Sequence, residues 1–462
     1  MKSSATKILR LAAVFLVTAG TGALAQTSDL DQMKSSMQSM QKNMEQMQTK
    51  LDALEQQQAA FSNFTRIQAT GQPTEVTPHD SLKTDQEAAQ RPGDQTIDPK
   101  YLGFFPIPNS PAIIKFNAKP RVDVTSDSRN SGNVDRFVTA TIPVKGEAAY
   151  GGPEQFNINA RGSQLSVDVR APGVPGNFRF YYNNDFFGSG GGMAYRLKQL
   201  YGQYYNVTAG FTYSVFEDPD AWPDTVDFEG PNATIFARRP VVRYQLPLSD
   251  EFQANFGIEQ PSTELDTGST ADTVTPYSAS PDAGMNVRWE NPRIGHVQLG
   301  GIARSLGSRG PVTGTQDVFG WGLNLATSLN VFDKDSFQGE VTYGHGIFRY
   351  FNDDFINNDA AFDANGNLKA IPAFGATGGY THHWTDDLRS TATYGYVNID
   401  NLATQGAAAY DKTHYASLNL IWQIRKRLSI GVEGLYGKKF TQNGASGDVF
   451  RIQMGLVYSL FD

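Results

Sequence analysis

From about residue 112 onward, apolar and polar side chains alternate one for one. Ile114, Phe116, Ala118, Val122 and Val124 interleave with Lys115, Asn117, Lys119, Arg121 and Asp123. Met285, Val287 and Trp289 interleave with Asn286, Arg288 and Glu290, and Trp321, Leu323, Leu325 and Leu329 with Asn324, Ser328 and Asn330. The last segment sets Phe450, Ile452, Met454, Leu456, Tyr458 and Leu460 on one face. Period two marks β-strands with two unlike faces. One face is too charged for the core of a soluble sandwich and too regular for a loop. Lipid on one side and water on the other accounts for both faces. The pattern over 111–462 therefore predicts an all-β transmembrane barrel of about 16 antiparallel strands. One strand changes parity: Asn157, Asn159 and Arg161 have one phase and Ser166, Asp168 and Arg170 the other. A bulge near Gly162-Ser163 would reconcile them.

The connectors give an independent check. Short turns fall at Asn291-Pro292-Arg293-Ile294, Asp333-Lys334-Asp335-Ser336, Thr385-Asp386-Asp387 and Arg425-Lys426-Arg427. Long Gly-, Asn- and Asp-rich stretches fall near 127–153, 217–234, 261–281, 351–369 and 400–412. Long alternates with short, as in outer-membrane barrels with short periplasmic turns and longer outer loops.

The N-terminal region follows other rules. Lys2, Lys7 and Arg10 precede an apolar core, Leu11-Ala12-Ala13-Val14-Phe15-Leu16-Val17, and Ala23-Leu24-Ala25 has a small-x-small pattern. Residues 1–25 are expected to be a cleaved signal peptide. Leu30, Met33, Met37, Met40, Met44, Met47, Leu51 and Leu54 then recur in alternating steps of three and four. That is an a/d seam, and it predicts a self-associating α-helical coiled coil over 26–64, with a trimer preferred. Residues 65–110 are polar, Pro-bearing and aperiodic, which reads as a flexible linker. A first strand that leaves from the short-turn side puts the coiled coil in the periplasm of a Gram-negative envelope.

Composition narrows the chemistry. Beyond the leader no run of about 20 apolar residues is present to form a spanning helix. The chain has no Cys, which excludes thiolate metal sites, disulfides and Cys nucleophiles. The formal charge is −8; without Lys2, Lys7 and Arg10, 36 basic residues face 47 acidic ones, or −11. An acidic chain argues against nucleic acid as a partner.

A channel needs no catalytic group and no cofactor; it needs a wet lumen, a constriction and a field. Lumen parity collects Lys115, Lys119, Arg121, Arg161, Arg170, Arg179, Arg196, Lys198, Arg239, Arg243, Arg288 and Arg304, against Asp123, Asp168, Asp185 and Glu290. Unit charges 4 Å apart interact by about 4 kcal/mol at an effective dielectric near 20, so unpaired arginines at a narrow point would favour anions. Arg121, Arg170, Arg179, Arg239 and Arg243 are the foremost candidates. The bland alternative is that each Arg pairs with an acid and stiffens the wall. Glu217, Asp218, Asp220 and Asp224 mark the expected third outer loop, which would fold into the lumen as a constriction, its acids facing the basic wall; a solvated surface loop and a weak calcium site are the alternatives. His382-His383 point to opposite strand faces and read as an interface position, so no metal site is expected.

Local passages add a resemblance. Arg136-Phe137-Val138-Thr139-Ala140-Thr141, Leu165-Ser166-Val167-Asp168-Val169-Arg170, Tyr201-Gly202-Gln203-Tyr204-Tyr205-Asn206-Val207-Thr208-Ala209-Gly210 and Asn232-Ala233-Thr234-Ile235-Phe236-Ala237-Arg238-Arg239-Pro240, taken with the zipper-plus-barrel plan, resemble the DcaP-like porin family. The resemblance implies a homotrimer of 16-stranded barrels with a periplasmic coiled coil, taking up small anions such as dicarboxylates. Outer-membrane lipid and lipopolysaccharide are the expected surroundings of such a barrel. The phosphate-selective porins share the plan and compete with this reading. An envelope tether whose coiled coil binds peptidoglycan or a periplasmic protein is the alternative from another class. The C-terminal Phe461-Asp462 departs from the terminal aromatic usual in such barrels.

Overall fold

The computed structural model describes Lys42 and residues 103–460, apart from 173, 175, 177, 268–271, 333 and 355–357. The expected signal peptide, the coiled coil and almost all of the linker lie outside the described residues. Two compact units divide the chain, Met1–Pro73 and Thr74–Asp462, and all the described strands belong to the second.

Alternation does become strand. β1 runs over Ile113–Lys119 and Arg121–Asp127, and β2 over Gln155–Asn159 and Gln164–Ala171. There follow β3 (Phe178–Asp185), β4 (Arg196–Tyr204), β5 (Val207–Tyr213), β6 (Arg238–Pro247), β7 (Phe252–Glu259) and β8 (Asp282–Asn291). The second half comprises β9 (Gly295–Gly310), β10 (Gly314–Val331), β11 (Asp335–His345), β12 (Pro372–His383), β13 (Leu388–Ile399), β14 (Tyr410–Arg425), β15 (Leu428–Thr441) and β16 (Ser446–Tyr458). Each pairs antiparallel with the next. β16 pairs back onto β1, from Arg451↔Asp127 to Val457↔Arg121, so the hydrogen-bonded circuit returns to its first strand.

Two interruptions have local causes. Pro120 splits β1 because it has no N–H to donate, although its carbonyl still accepts from Tyr458 at 3.1 Å. β2 breaks over Ala160–Ser163, where the Ser163 N–H turns back to the Ala160 carbonyl at 3.0 Å and the Ser163 hydroxyl accepts from the Arg121 N–H at 3.0 Å. Asn157 and Asn159 share the inward parity before the break, Asp168 and Arg170 after it. This is the bulge that the two phases of the sequence require.

The faces invert the usual rule of burial. Phe116, Leu299, Leu325, Leu418 and Ile452 are half or more exposed on the outside, whereas Arg121, Asn324, Thr413 and Arg451 are at most 2% exposed inside. An apolar belt around a polar interior is the arrangement of a barrel in lipid.

Connectors sort by end. The four short turns read from the sequence fall at one end. The five long stretches fall at the other, among connectors labelled in chain order L1 (128–154), L2 (186–195), L3 (214–237), L4 (260–281), L5 (311–313), L6 (346–371), L7 (400–409) and L8 (442–445). The alternation is not strict: L5 and L8 are as short as turns, and L5 joins the two long strands β9 and β10. At the short-turn end, Gly295 opens β9 with φ +108°, and a Cβ there would lie 2.0 Å from the Ser328 carbonyl oxygen. Gly295→Ala is expected to destabilise the barrel by about 1–3 kcal/mol. The check is earlier loss of the fast-migrating folded band in a heating series; an unshifted series would show that the turn has no such strain.

The lumen holds something the alternation does not announce. L1, L3 and L6 bring Val138, Ala140, Phe216, Ala233, Ile235, Phe348, Tyr350 and Phe351 together against Ile302, Ala373, Val397 and Ile399 of the wall. An apolar cluster therefore occupies part of a lumen expected to be wet throughout. Wall glycines make room for it: a Cβ on Gly375 would meet the Phe351 ring at 2.2 Å.

Candidate functional site

L3 crosses the interior and is pinned along its length. The Val215 carbonyl accepts from Asn286 at 2.7 Å, the Phe216 carbonyl from Asn324 at 3.4 Å and the Glu217 carbonyl from Gln298 at 3.1 Å. Pro219–Ala221 then form one 3-10 turn, capped by Asp218, whose carboxylate accepts from the Asp220 N–H at 3.2 Å. Asp218 also pairs with Arg288 at 3.0 Å and His296 at 2.8 Å, and Asp220 with Arg288 at 2.8 Å. Farther along, Asp224 pairs with Arg389 at 2.6 Å, the Val226 carbonyl accepts from Arg121 at 2.5 Å, and the Asp227 N–H donates to Glu433 at 2.6 Å. Polar anchors thus tie L3 to β8, β9, β10, β13, β15 and β1. Towards β4 it presents a ring instead: Phe228 lies 5.0 Å from the Lys198 ammonium and 5.3 Å from the Arg121 guanidinium.

The expected constriction acids are therefore inside the barrel, but they do not face unpaired cations across water. Asp218, Asp220 and Asp224 are held by Arg288, His296 and Arg389, and Glu217 accepts from the Ala237 N–H of its own loop at 2.9 Å. A salt-bridged loop contributes a much smaller transverse field than four free carboxylates would.

Most of the wall arginines are also paired. Arg121 grips Asp123 through two bonds of 2.7 Å. Arg161 reaches Asp135 of L1 at 2.5 Å and the Phe186 and Gly188 carbonyls of L2. Arg196 pairs with Asp185 at 2.5 Å, and Arg304 with both Asp282 and Asp359 at 3.0 and 2.9 Å. Arg288 adds Glu290 at 3.0 Å to its two loop partners. Arg239 stands 3.9 Å from Asp282 and 4.2 Å from the Tyr350 ring. Lys115 lies 6.0 Å from the Phe104 ring, Lys119 is partly exposed beside Pro120, and Arg243 is close enough to Glu217 and Glu259 to feel their charge.

One carboxylate is shared by two arginines. Arg170 of β2 and Arg179 of β3 both bond to the single carboxylate of Asp168, at 3.0 and 2.9 Å. All three side chains are about 90% buried, and the Arg179 guanidinium lies 5.1 Å and 5.9 Å from the rings of Tyr181 and Tyr201. Two guanidiniums thus converge on one carboxylate, on the opposite flank of β1 from most of the anchors of L3.

Several inward charges escaped the sequence reading. Arg451 binds Asp127 at 2.5 Å with both side chains essentially inaccessible. Its signal was present, since Phe450 and Ile452 point outward and parity turns Arg451 inward. Glu259, Asp282, Glu340 and Glu433 are inward acids that parity also assigns, so the acids on lumen parity are more numerous than Asp123, Asp168, Asp185 and Glu290. Tyr350 and Asp353 of L6 have no periodic signal. The Tyr350 hydroxyl donates to Glu259 or Asp282 at 2.7 and 2.9 Å, and Asp353 accepts from Thr139, the Ala140 N–H, Tyr410 and Thr413 within 2.8 Å.

The His pair does not converge. His382 Nδ1 lies 2.8 Å from the Asp335 carboxylate, which also accepts from Tyr380 and from the His383 backbone N–H.

The comparisons agree with this architecture. No curated protein matches the chain. The crystal structure of the outer membrane channel DcaP of Acinetobacter baumannii superposes with a TM-score of 0.67 at 21% identity, covering 78% of this chain and 100% of that one. An anion-selective porin from Comamonas acidovorans superposes with a TM-score of 0.50 at 13% identity, covering 76% and 100%. At these identities the likeness gives the fold, which is that of porin barrels. The model of the DcaP outer membrane protein family matches residues 103–460. The chain belongs to the DcaP outer membrane protein family and is an outer-membrane porin channel.

Proposed function

We propose that the barrel is a passive diffusion channel that prefers small anions, dicarboxylates among them, and that it works as a homotrimer. The observation that carries the preference is the Asp168 site, where Arg170 and Arg179 share one carboxylate. Arg121, Arg161, Arg196, Arg288 and Arg304 each have close carboxylates of their own, so the two guanidiniums at Asp168 are where a passing anion would be favoured. Arginine suits the role because it keeps its charge at any physiological pH and its planar fork matches a carboxylate. The solute would pass along the wall that carries Arg170, Arg179 and Arg243. With the short turns on the periplasmic side, the region 26–64 is a periplasmic coiled coil behind a cleaved leader.

Reversal potentials of the purified protein in planar bilayers under a salt gradient test this. Anion preference is expected for the native channel. Arg179→Ala should cut it by about two- to fivefold in permeability ratio, the effect of removing roughly one unit charge at partly screened range. Cation preference in the native channel overturns the proposal.

A further inference from the structure

The segment just before the barrel is built into its rim. Phe105 and Pro106 pair antiparallel with Ile114 and Ile113, and the Ile107 N–H donates to the Ala112 carbonyl at 3.0 Å. The turn between them places Asn109 at φ +58°, and the Ala112 N–H is held by the Ser110 hydroxyl at 3.0 Å. This hairpin occupies an edge that β16 does not cover. β16 pairs only with Arg121–Asp127, and beyond it the Leu460 N–H reaches the Ala118 carbonyl at 2.9 Å. Residues 105–106 take over at Ile113–Ile114.

Register then decides which way the rings point. Phe105 lies opposite the outward Ile114 and is 51% exposed. Its neighbour Phe104 falls on the other face, the face of Lys115 and Arg170. Its ring is 6.0 Å from the Lys115 ammonium and 5.3 Å from the Arg170 guanidinium. Arg170 thereby meets both the Asp168 carboxylate, at 3.0 Å, and an aromatic ring.

We propose that the 103–112 hairpin is part of the permeation path and that Phe104 is a specificity-determining residue at its short-turn mouth. The ring narrows the exit. It also shields Arg170 from water on one face, which strengthens the pull of that guanidinium on a passing carboxylate. This rests on the anion-channel reading given above, and it adds a residue that lies outside the sixteen strands.

The absence of native Cys makes a direct test available. In full-length Phe104→Cys the introduced thiol is unique. A negatively charged methanethiosulfonate added from the short-turn side of a planar bilayer is expected to lower single-channel conductance, with the native protein unaffected as the control. Phe104→Leu, which keeps bulk but removes the aromatic face, should retain conductance and lose about two- to fivefold in anion-to-cation permeability ratio. If labelling leaves conductance unchanged, the ring is not in the path and the inference is wrong. If labelling blocks conductance but Phe104→Leu leaves the permeability ratio unchanged, Phe104 lines the path without setting specificity, and that part is overturned. A native channel that prefers anions together with inert Phe104 variants sinks this inference alone; a native channel that prefers cations sinks the reading beneath it.

Discussion

Arg288→Ala is expected to raise single-channel conductance and make the channel noisy. Arg288 is 4% exposed and bonds to three carboxylates: Asp218 and Asp220 of L3 and Glu290 of its own strand. Removing one partner of a buried ion pair costs about 3–5 kcal/mol, because the remaining charges stay desolvated without compensation. Here three acids would lose their shared cation, and Asp218 would keep His296 and the Asp220 N–H. The cheapest relief is for the 3-10 turn at Pro219–Ala221 to leave β8 and hydrate. The far half of L3 would stay, held by Arg389, Glu433 and Arg121, so the loop should flicker rather than unfold. Loss of one positive charge should also weaken anion preference. Single-channel recording and limited proteolysis within 214–224 read the two effects separately. Unchanged conductance with no new cleavage would mean that the carbonyl anchors at Asn286, Asn324 and Gln298 suffice.

What the sequence discloses follows from which forces are periodic. Phe450, Ile452 and Met454 face lipid because every second side chain must, so barrel, strand number and the β2 bulge can all be read from alternation. The same parity assigns Arg451, Glu259, Asp282 and Glu433 to the interior, and reading it to the end would have found the acids that neutralise the wall. Pairing is another matter. Arg304 meets Asp359 from 55 residues away, and Arg288 meets Asp218 across 70; no local pattern encodes either contact. Parity gives the side of a charge, while its partner decides whether a passing ion feels it. The plug of L1, L3 and L6 was hidden for a related reason. Phe348, Tyr350 and Phe351 sit in a connector rich in Asn and Asp, where composition suggests solvent, and only the small wall residues facing them, such as Gly375, mark the space they fill.

That plug should respond to pH. L4 and L6 join through a parallel bridge, Leu265–Asp266 beside Ala360–Ala361, and through the Glu264 carbonyl, which accepts from the Asp359 and Ala360 N–H groups at 3.1 Å. Beside this seam the carboxyls of Glu264 and Asp354 are both largely buried and act on each other. Burial, reinforced by the charge of Asp359, pushes Glu264 up to about 6, against the pull of Arg349 and Arg304. Burial and the charges of Glu264 and Asp359 push Asp354 up as well. A raised acid binds its proton more tightly in the joined state than in the released one. The stabilisation is therefore full below about pH 4.5, the ordinary glutamate value, and is lost as pH rises through about 6. Channel recordings from pH 4.5 to 7 should show brief excursions of L6 becoming more frequent with rising pH, by on the order of tenfold across the window. Glu264→Gln is uncharged at every pH, so it should hold the quiet, low-pH behaviour at pH 7. A Gln variant as noisy at pH 7 as the native channel would place the pH response elsewhere.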